Sequence, residues 1–188
     1  MCGIVGYTGK KQAAQFLLDG LATLEYRGYD SAGVEVLSPD GELHGVKCAG
    51  RVSILADRCK TANLTGTTGI AHTRWATHGA PTDKNAHPHL DCTGRIAIVH
   101  NGIIENYREL RSYLARNGHT FASDTDSEVV AHLVEDAWDG PCKGDLVAAV
   151  SNAVSRLEGS WALAVVCADA PDQLVVARNG SPLVVAST

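Results

Sequence analysis

The feature that most constrains the fold is an alternation of short apolar segments with segments in which apolar residues recur at helical spacing. The apolar segments have the length of strands rather than of helices. Turn signals such as Pro39-Asp40-Gly41 separate several of them, so neighbouring segments are expected to pair as hairpins. The predicted strands cover residues 4–7, 34–37, 42–47, 69–74, 95–100, 160–168, 173–178 and 182–187.

The remaining regular segments favour helices. Residues 12–26, 106–117 and 146–157 place apolar side chains on one face, and residues 52–60 predict a shorter helix. In the second of these, Leu110, Tyr113 and Leu114 are expected to face inward, and Gly118 to end the helix. Thr125-Asp126-Ser127-Glu128 matches a capping box that would open a helix running to residue 138. Hairpin-linked strands with several amphipathic helices predict the α+β class, with helices packed outside the sheets.

Composition excludes several classes of function. A chain of 188 residues is one domain or one piece of a longer protein. A formal net charge of −5 argues against binding nucleic acid through its phosphates. There is no apolar run long enough to cross a membrane, and no secretory signal at the N-terminus. The six cysteines contain no Cys-x-x-Cys pair, so we expect free thiols in a reducing cytoplasm.

The segment 75–88 is long, irregular and rich in functional groups, which is typical of functional loops. Its histidines, together with His72 and His89, could be considered as metal ligands. Their spacing matches no zinc pattern, so the sequence predicts neither a metal site nor a cofactor.

Cys2 directly follows the initiator methionine. If Met1 is removed, Cys2 carries both a thiol and a free α-amine. The α-amine has a pKa of about 7.7–8.0, so it can act as a base near neutral pH. The alternative is that Cys2 is a small, half-buried strand residue ahead of Ile4 and Val5.

A thiol that attacks a carbonyl needs oxyanion donors, and a side-chain amide next to a glycine N–H, as at Asn101-Gly102, can supply them. An amino-acid substrate would also need a cation for its carboxylate and an anion for its ammonium, and Arg74 and Asp126 are available. Each has another interpretation: a hairpin turn for Asn101-Gly102, a surface ion pair or stacking on Trp75 for Arg74, and helix-dipole complementation for Asp126.

Six motifs occur in order along the chain. They are Cys2-Gly3-Ile4-Val5-Gly6, Leu24-Glu25-Tyr26-Arg27-Gly28-Tyr29-Asp30-Ser31-Ala32-Gly33, His72-Thr73-Arg74-Trp75-Ala76-Thr77-His78-Gly79, Asn85-Ala86-His87-Pro88-His89, His100-Asn101-Gly102-Ile103-Ile104-Glu105-Asn106 and Thr125-Asp126-Ser127-Glu128. Together they resemble the glutaminase domain of the glucosamine-6-phosphate synthases, which are class II glutamine amidotransferases of the N-terminal nucleophile hydrolase superfamily. The resemblance covers essentially the whole chain.

The resemblance implies a role for each candidate residue. Cys2 would be the nucleophile with its α-amine as the base, and Asn101 and Gly102 would form the oxyanion hole. The substrate-binding set implied is Arg74 and Thr77 for the carboxylate of glutamine, Asp126 for its ammonium, Trp75 and His78 in a closing loop, and Arg27 ordering the N-terminus.

The resemblance also implies a four-layer αββα sandwich and the hydrolysis of glutamine to glutamate and ammonia. Residues 1–188 would form the glutaminase domain, without the sugar-phosphate isomerase domain that binds fructose 6-phosphate in the complete, homo-oligomeric enzyme. Two alternatives remain: the glutaminase domain of another amidotransferase, and a catalytically silent domain with the same fold. A chain that keeps Met1 should be blocked, because its Cys2 nitrogen would be an amide.

Overall fold

The computed structural model describes residues 2–187. Two four-stranded antiparallel sheets form the centre of this region. The first has the order β1-β4-β2-β3 and the second β5-β6-β7-β8. The strands are β1 Gly3–Thr8, β2 Ser31–Leu37, β3 Leu43–Ala49, β4 Thr68–Arg74, β5 His89–Leu90, β6 Ile96–Ile104, β7 Gly159–Cys167 and β8 Val175–Asn179.

Five α-helices cover the two sheets. They are α1 Ala13–Leu24, α2 Val52–Cys59, α3 Tyr107–Arg116, α4 Glu128–Asp139 and α5 Leu146–Val154, and a 3-10 turn, Glu25–Arg27, follows α1. The predicted helices are therefore confirmed, with ends that differ by a few residues. None of the helices within residues 2–187 combines the length and apolar character that spanning a bilayer requires.

Three apolar clusters define the layers. One joins α1 and α2 to the first sheet through residues such as Leu21 and Leu55. A second joins α3, α4 and α5 to the second sheet. The third lies between the sheets and includes Ile70 and Val99. The layer order is thus helix, sheet, sheet, helix, so the α+β class and the four-layer αββα sandwich are confirmed.

Strand β6 illustrates how the sequence pattern produces these layers. Ala97 and Val99 pack in the cluster between the sheets, whereas Ile96 and Ile98 pack against the helices. Successive strand residues point to opposite faces, and here both faces are covered. This explains why the segment is apolar throughout rather than alternating.

Two expectations about strands are wrong. Residues 182–187 form no strand, and Val184 and Val185 are exposed. An apolar run becomes a strand only where a neighbour supplies backbone partners, and residues 182–187 pair with no strand among the described residues; the isolated bridge between Trp161 and Gly180 lies before them. The hairpin turn considered for Asn101-Gly102 is also wrong, because β6 continues through both residues and pairs with β7 as far as Ile104.

Two expectations about helices are wrong as well. Ser127 precedes α4 without a side-chain cap, and the Glu128 carboxylate accepts hydrogen bonds from the backbone of Ala122 and Ser123 instead. The predicted capping box is therefore replaced by a bond to the preceding loop. Tyr113 is 39% exposed rather than inward, although Leu110 and Leu114 are buried as predicted.

Candidate functional site

Cys2 lies immediately before β1, and the pairing of β1 with β4 determines its neighbours. Gly3 is opposite Thr73, so Cys2 lies beside the chain that leaves β4 at Arg74 and Trp75. The Trp75 N–H donates a hydrogen bond to Sγ of Cys2 at 3.2 Å, and the thiol faces the Trp75 carbonyl oxygen at 3.6 Å. The N-terminal segment and the chain that leaves β4 thus fix the position of the thiol together.

Burial raises the pKa of the Cys2 thiol, although the Trp75 N–H and the charges of Arg74 and Arg27 oppose this shift. The protonated thiol is a weak nucleophile. A reaction at this sulfur therefore needs a base that removes its proton.

Arg27 fixes the backbone of Cys2 from the other side. Its Nε donates to the Cys2 carbonyl oxygen at 3.0 Å. Gly28 allows this turn to lie against the end of β4: a Cβ at that position would be 2.7 Å from the carbonyl carbon of Arg74. The expectation that Arg27 orders the N-terminal residue is consistent with this contact.

Asn101 also reaches the backbone of Cys2. Its Nδ2 donates to the Cys2 carbonyl oxygen at 3.2 Å, while Oδ1 lies 2.9 Å from Nε2 of His72. The same Nε2 lies 3.0 Å from the carbonyl oxygen of His100. Both are acceptors, so Nε2 carries the hydrogen, and this determines which end of the Asn101 amide faces Cys2.

Gly102 occupies a conformation that few other residues can adopt. Its φ is 131°, and a Cβ would lie 2.0 Å from the carbonyl oxygen of Ser160 on β7. Strand β6 can therefore pair with β7 at this point only because Gly102 has no side chain.

Arg74 is buried and holds the loop that follows β4. Its guanidinium donates to the carbonyl oxygens of His78, of Gly79 at 3.0 Å and of Ala80 at 3.3 Å. It forms no ion pair with any of residues 2–187, so the surface ion pair considered from the sequence is wrong. Three of its five N–H donors are used in these contacts, which leaves donors for an anion.

Asp126 is buried at the end of the loop before α4. Its Oδ2 accepts a hydrogen bond from the Ile104 N–H at 2.9 Å, which ties it to the end of β6. Ser127 donates to Oδ1 at 3.3 Å and also contacts Nδ1 of His100 at 2.8 Å. The carboxylate precedes the first turn of α4, so helix-dipole complementation and a binding role are both compatible with its position.

These residues meet in one small cleft. Its walls bring together the thiol, the buried guanidinium, the glycine of β6 and the buried carboxylate. Lining residues are Cys2, His72, Arg74, Trp75, Thr77, His87, His100, Gly102, Thr125, Asp126 and Ser127. A larger groove lies between α1 and α2, but it does not adjoin the Cys2 thiol.

Three of the loop residues differ in their exposure. Trp75 is 46% exposed and meets the Tyr29 ring edge-on at 5.6 Å. Thr77 is exposed at the cleft, whereas His78 packs its ring against Tyr107 at 5.4 Å. His78 is not among the residues that line the cleft.

Buried histidines support the site, and sequence reasoning gave them no role of this kind. Burial lowers the pKa of His72 to about 3 and that of His100 to about 4, and it holds the pKa of His87 well below its usual value. These rings are therefore neutral near pH 7. His72, which contacts the Asn101 side chain, stacks on His87 at 4.2 Å, and Nδ1 of His87 accepts a hydrogen bond from the His100 N–H at 3.2 Å. The sequence feature that could have indicated this role is a histidine within a predicted strand, as His72 in residues 69–74 and His100 in residues 95–100.

Comparison with known proteins places the chain in a class. A sequence profile described as the glutamine amidotransferase domain matches residues 72–188. The Bacillus subtilis glutamine phosphoribosylpyrophosphate amidotransferase, solved with ADP and GMP, superimposes with a TM-score of 0.78 at 27% identity. The match covers 95% of this chain and 37% of that structure. The chain belongs to the glutamine amidotransferase domain family.

More specific relatives are glutamine–fructose-6-phosphate aminotransferases of the isomerizing type. The enzyme of Clostridium tetani is 52% identical over 185 residues, and that of Thermotoga maritima is 54% identical over 186. Each match covers 98% of this chain but 30% of the relative. The chain therefore spans about 30% of the length of these curated relatives.

Proposed function

We propose that this chain hydrolyses glutamine to glutamate and ammonia through a γ-glutamyl thioester on Cys2. One observation carries the proposal: a half-buried thiol shares a cleft with a buried guanidinium and a buried carboxylate, beside the Asn101-Gly102 segment. The cleft thus offers a nucleophile and the two opposite charges that an amino acid requires.

The reaction needs one base and two donors. The Cys2 sulfur attacks the carboxamide carbon of glutamine, and the thiol proton passes to the α-amine of Cys2, directly or through a water. The amide N–H groups of Asn101 and Gly102 stabilise the negative oxygen that forms. Collapse expels the nitrogen, which leaves as ammonia after taking the proton. Water then adds to the thioester, releases glutamate and restores the thiol.

Binding of the amino-acid end follows from charge. Arg74, with Thr77, receives the α-carboxylate of glutamine, and Asp126 receives its ammonium group. Trp75 and His78 belong to the loop that closes over the substrate. Arg27 positions the nucleophile through the Cys2 carbonyl oxygen.

The state of the Cys2 nitrogen determines activity in this mechanism. Met1 lies outside the described residues. While Met1 is attached, the nitrogen is an amide and cannot accept the thiol proton. Processed protein, confirmed by intact mass, should release glutamate, and protein that retains Met1 should release little. Normal turnover by the retained form would exclude the α-amine as the base.

We further propose that residues 1–188 are the glutaminase domain of a longer, cytoplasmic, homo-oligomeric enzyme. A sugar-phosphate isomerase domain, absent from this chain, would use the ammonia to convert fructose 6-phosphate to glucosamine 6-phosphate. The 52% identity to such enzymes favours this acceptor over that of the phosphoribosylpyrophosphate amidotransferase, at 27%. The chain alone should make no glucosamine 6-phosphate.

Glutamate release from glutamine tests the activity. Processed wild-type chain is compared with Cys2→Ala and with Cys142→Ala, which removes a free cysteine far from the cleft in sequence and absent from its lining. We expect activity in wild type and Cys142→Ala and a loss in Cys2→Ala. Equal rates in all three would reject Cys2 as the nucleophile, and a folded but inactive wild type would identify a catalytically silent domain.

A further inference from the structure

A second cluster of reactive side chains lies outside the Cys2 cleft. Cys92, His119, His132 and Glu135 each direct one ligand atom toward a common centre, and these atoms all lie within 4.8 Å of one another. Cys92 follows β5, His119 lies in the loop between α3 and α4, and the other two are on α4. None of them lines the cleft of Cys2.

We propose that these four residues bind one divalent transition-metal ion, with Zn²⁺ the best fit, as a structural site. The donor set is one thiolate, two imidazoles and one carboxylate, which are the ligand types found in four-coordinate zinc sites. Four protein ligands leave no open position, which distinguishes structural from catalytic zinc sites.

The spacing of the donor atoms supports this assignment. Cys92 Sγ lies 3.5 Å from Nδ1 of both His119 and His132. Zinc bond lengths of about 2.3 Å to sulfur and 2.0 Å to nitrogen predict about 3.5 Å between two ligands of a tetrahedron. Glu135 Oε2 lies 2.9 Å and 3.1 Å from the same two nitrogens, so a small outward shift of the carboxylate would admit the ion.

The outer nitrogens of both imidazoles also face carboxylates. His119 Nε2 lies 2.8 Å from Asp136 Oδ1, and His132 Nε2 lies 3.7 Å from Glu128 Oε1. Zinc-bound histidines usually have such a partner, which receives the remaining N–H and orients the ring. This outer hydrogen bond is thus already in place for His119, whereas Glu128 faces His132 from beyond hydrogen-bond distance.

If the imidazoles of His119 and His132 are both neutral, hydrogen bonds alone cannot satisfy all of their nitrogens and the carboxylate oxygens that face them. A neutral imidazole has one N–H, yet both nitrogens of His119 face a carboxylate oxygen. His132 is buried with carboxylates on both sides, and its Nε2 has no hydrogen-bond partner among residues 2–187. A cation at the centre would accept both Nδ1 lone pairs and leave each Nε2–H for Asp136 or Glu128.

The charges of the four ligands also fit a divalent ion. An ordinary thiol has a pKa of about 8.5, so without a cation Cys92 keeps its proton near neutral pH. A divalent ion releases that proton and binds the thiolate. Thiolate and carboxylate together then neutralise the ion. Cys92 is exposed, which provides a path for entry.

The ion would connect the turn after β5, the α3–α4 loop and the middle of α4. The sequence did not indicate it because the ligands are far apart, except for His132 and Glu135, which are three residues apart on one helix face.

Metal analysis of the full chain, purified without chelator, provides the test. Elemental analysis should find about one equivalent of bound metal. After chelation, Zn²⁺ should rebind at 1:1 stoichiometry with a dissociation constant below about 0.1 µM. Co²⁺ in its place should give visible d–d bands and a thiolate-to-cobalt charge-transfer band in the near ultraviolet.

Three variants make the assignment specific. Cys92→Ala should lose the charge-transfer band and the tight binding, whereas Cys142→Ala and Cys2→Ala should keep both. Asp136→Asn should weaken Zn²⁺ binding about 10–100-fold without removing the band, because it alters only the outer partner of His119. Chelation should lower the melting temperature of wild type but not that of Cys92→Ala.

Two results would overturn the proposal. The first is folded wild-type chain that contains no metal and binds neither Zn²⁺ nor Co²⁺ below about 10 µM. The second is binding that Cys2→Ala abolishes and Cys92→Ala preserves, which would move the metal to the cleft thiol. Neither readout depends on glutamine hydrolysis.

Discussion

Replacing Gly102 by alanine tests the described backbone of β6 and its proposed role together. The new Cβ would lie 2.0 Å from the Ser160 carbonyl oxygen and 2.8 Å from the Cα of Trp161, both in the paired strand β7. A positive φ of 131° in a residue with a side chain costs about 1–3 kcal/mol. Overpacking against fixed backbone adds about 1–3 kcal/mol. We therefore expect Gly102→Ala to lower the free energy of unfolding by about 2–6 kcal/mol.

Gly94→Ala is the matched control. Gly94 also has a positive φ, of 74°, but a Cβ there meets nothing within 4 Å. It should lose only about 1–2 kcal/mol. Both free energies are measured by denaturant unfolding, and kcat by glutamate release. If Gly102→Ala stays folded, displacement of its N–H should reduce kcat about 10²–10³-fold. A loss of stability no larger than that of Gly94→Ala, with unchanged kcat, would refute this reasoning.

Two further predictions address charge. Asp126→Asn keeps an acceptor for the Ile104 N–H but removes the negative charge. The KM for glutamine, measured by steady-state kinetics, should therefore rise about 10–100-fold with kcat nearly unchanged. An unchanged KM would limit Asp126 to a structural role. Burial raises the pKa of Glu35 from 4.5 to about 7, so the folded state holds a proton that the unfolded state has lost. The contribution of Glu35 to stability should therefore fall by about 3 kcal/mol as pH rises from 4.5 to 7, so the free energy of unfolding of wild type should fall by that amount relative to that of Glu35→Gln; parallel pH dependences in the two proteins would contradict it.

Local sequence patterns predicted most of the elements and the composition of the site. The helical spacing around Leu17 and Leu21 is a property of residues a few positions apart, and α1 buries both. The same holds for Leu110 and Leu114 in α3. The motif residues were likewise recognisable without tertiary information: residue chemistry indicated Cys2, Arg74, Asn101-Gly102 and Asp126, and the resemblance of six ordered motifs to a known family indicated the rest.

Local patterns were misleading where the outcome depended on a partner outside the pattern itself. Asn101-Gly102 has the composition of a hairpin turn, yet β7 pairs with β6 beyond it, and the strand continues. Glu128 has the spacing of a capping residue, yet the nearby backbone of Ala122 and Ser123 competes for its carboxylate. The run at 182–187 has the composition of a strand but no pairing neighbour among the described residues.

The sequence by itself determined the α+β class, the candidate nucleophile and the charged groups of the cleft, because periodicity and residue chemistry are local. Only the tertiary structure decided that Cys2 lies beside Trp75 and that His72 orients the Asn101 amide toward it. It also brought Cys92 and His119 to the same centre on α4. These contacts join segments far apart in the chain, and strand pairing and layer packing, rather than any short-range pattern, determine which segments meet.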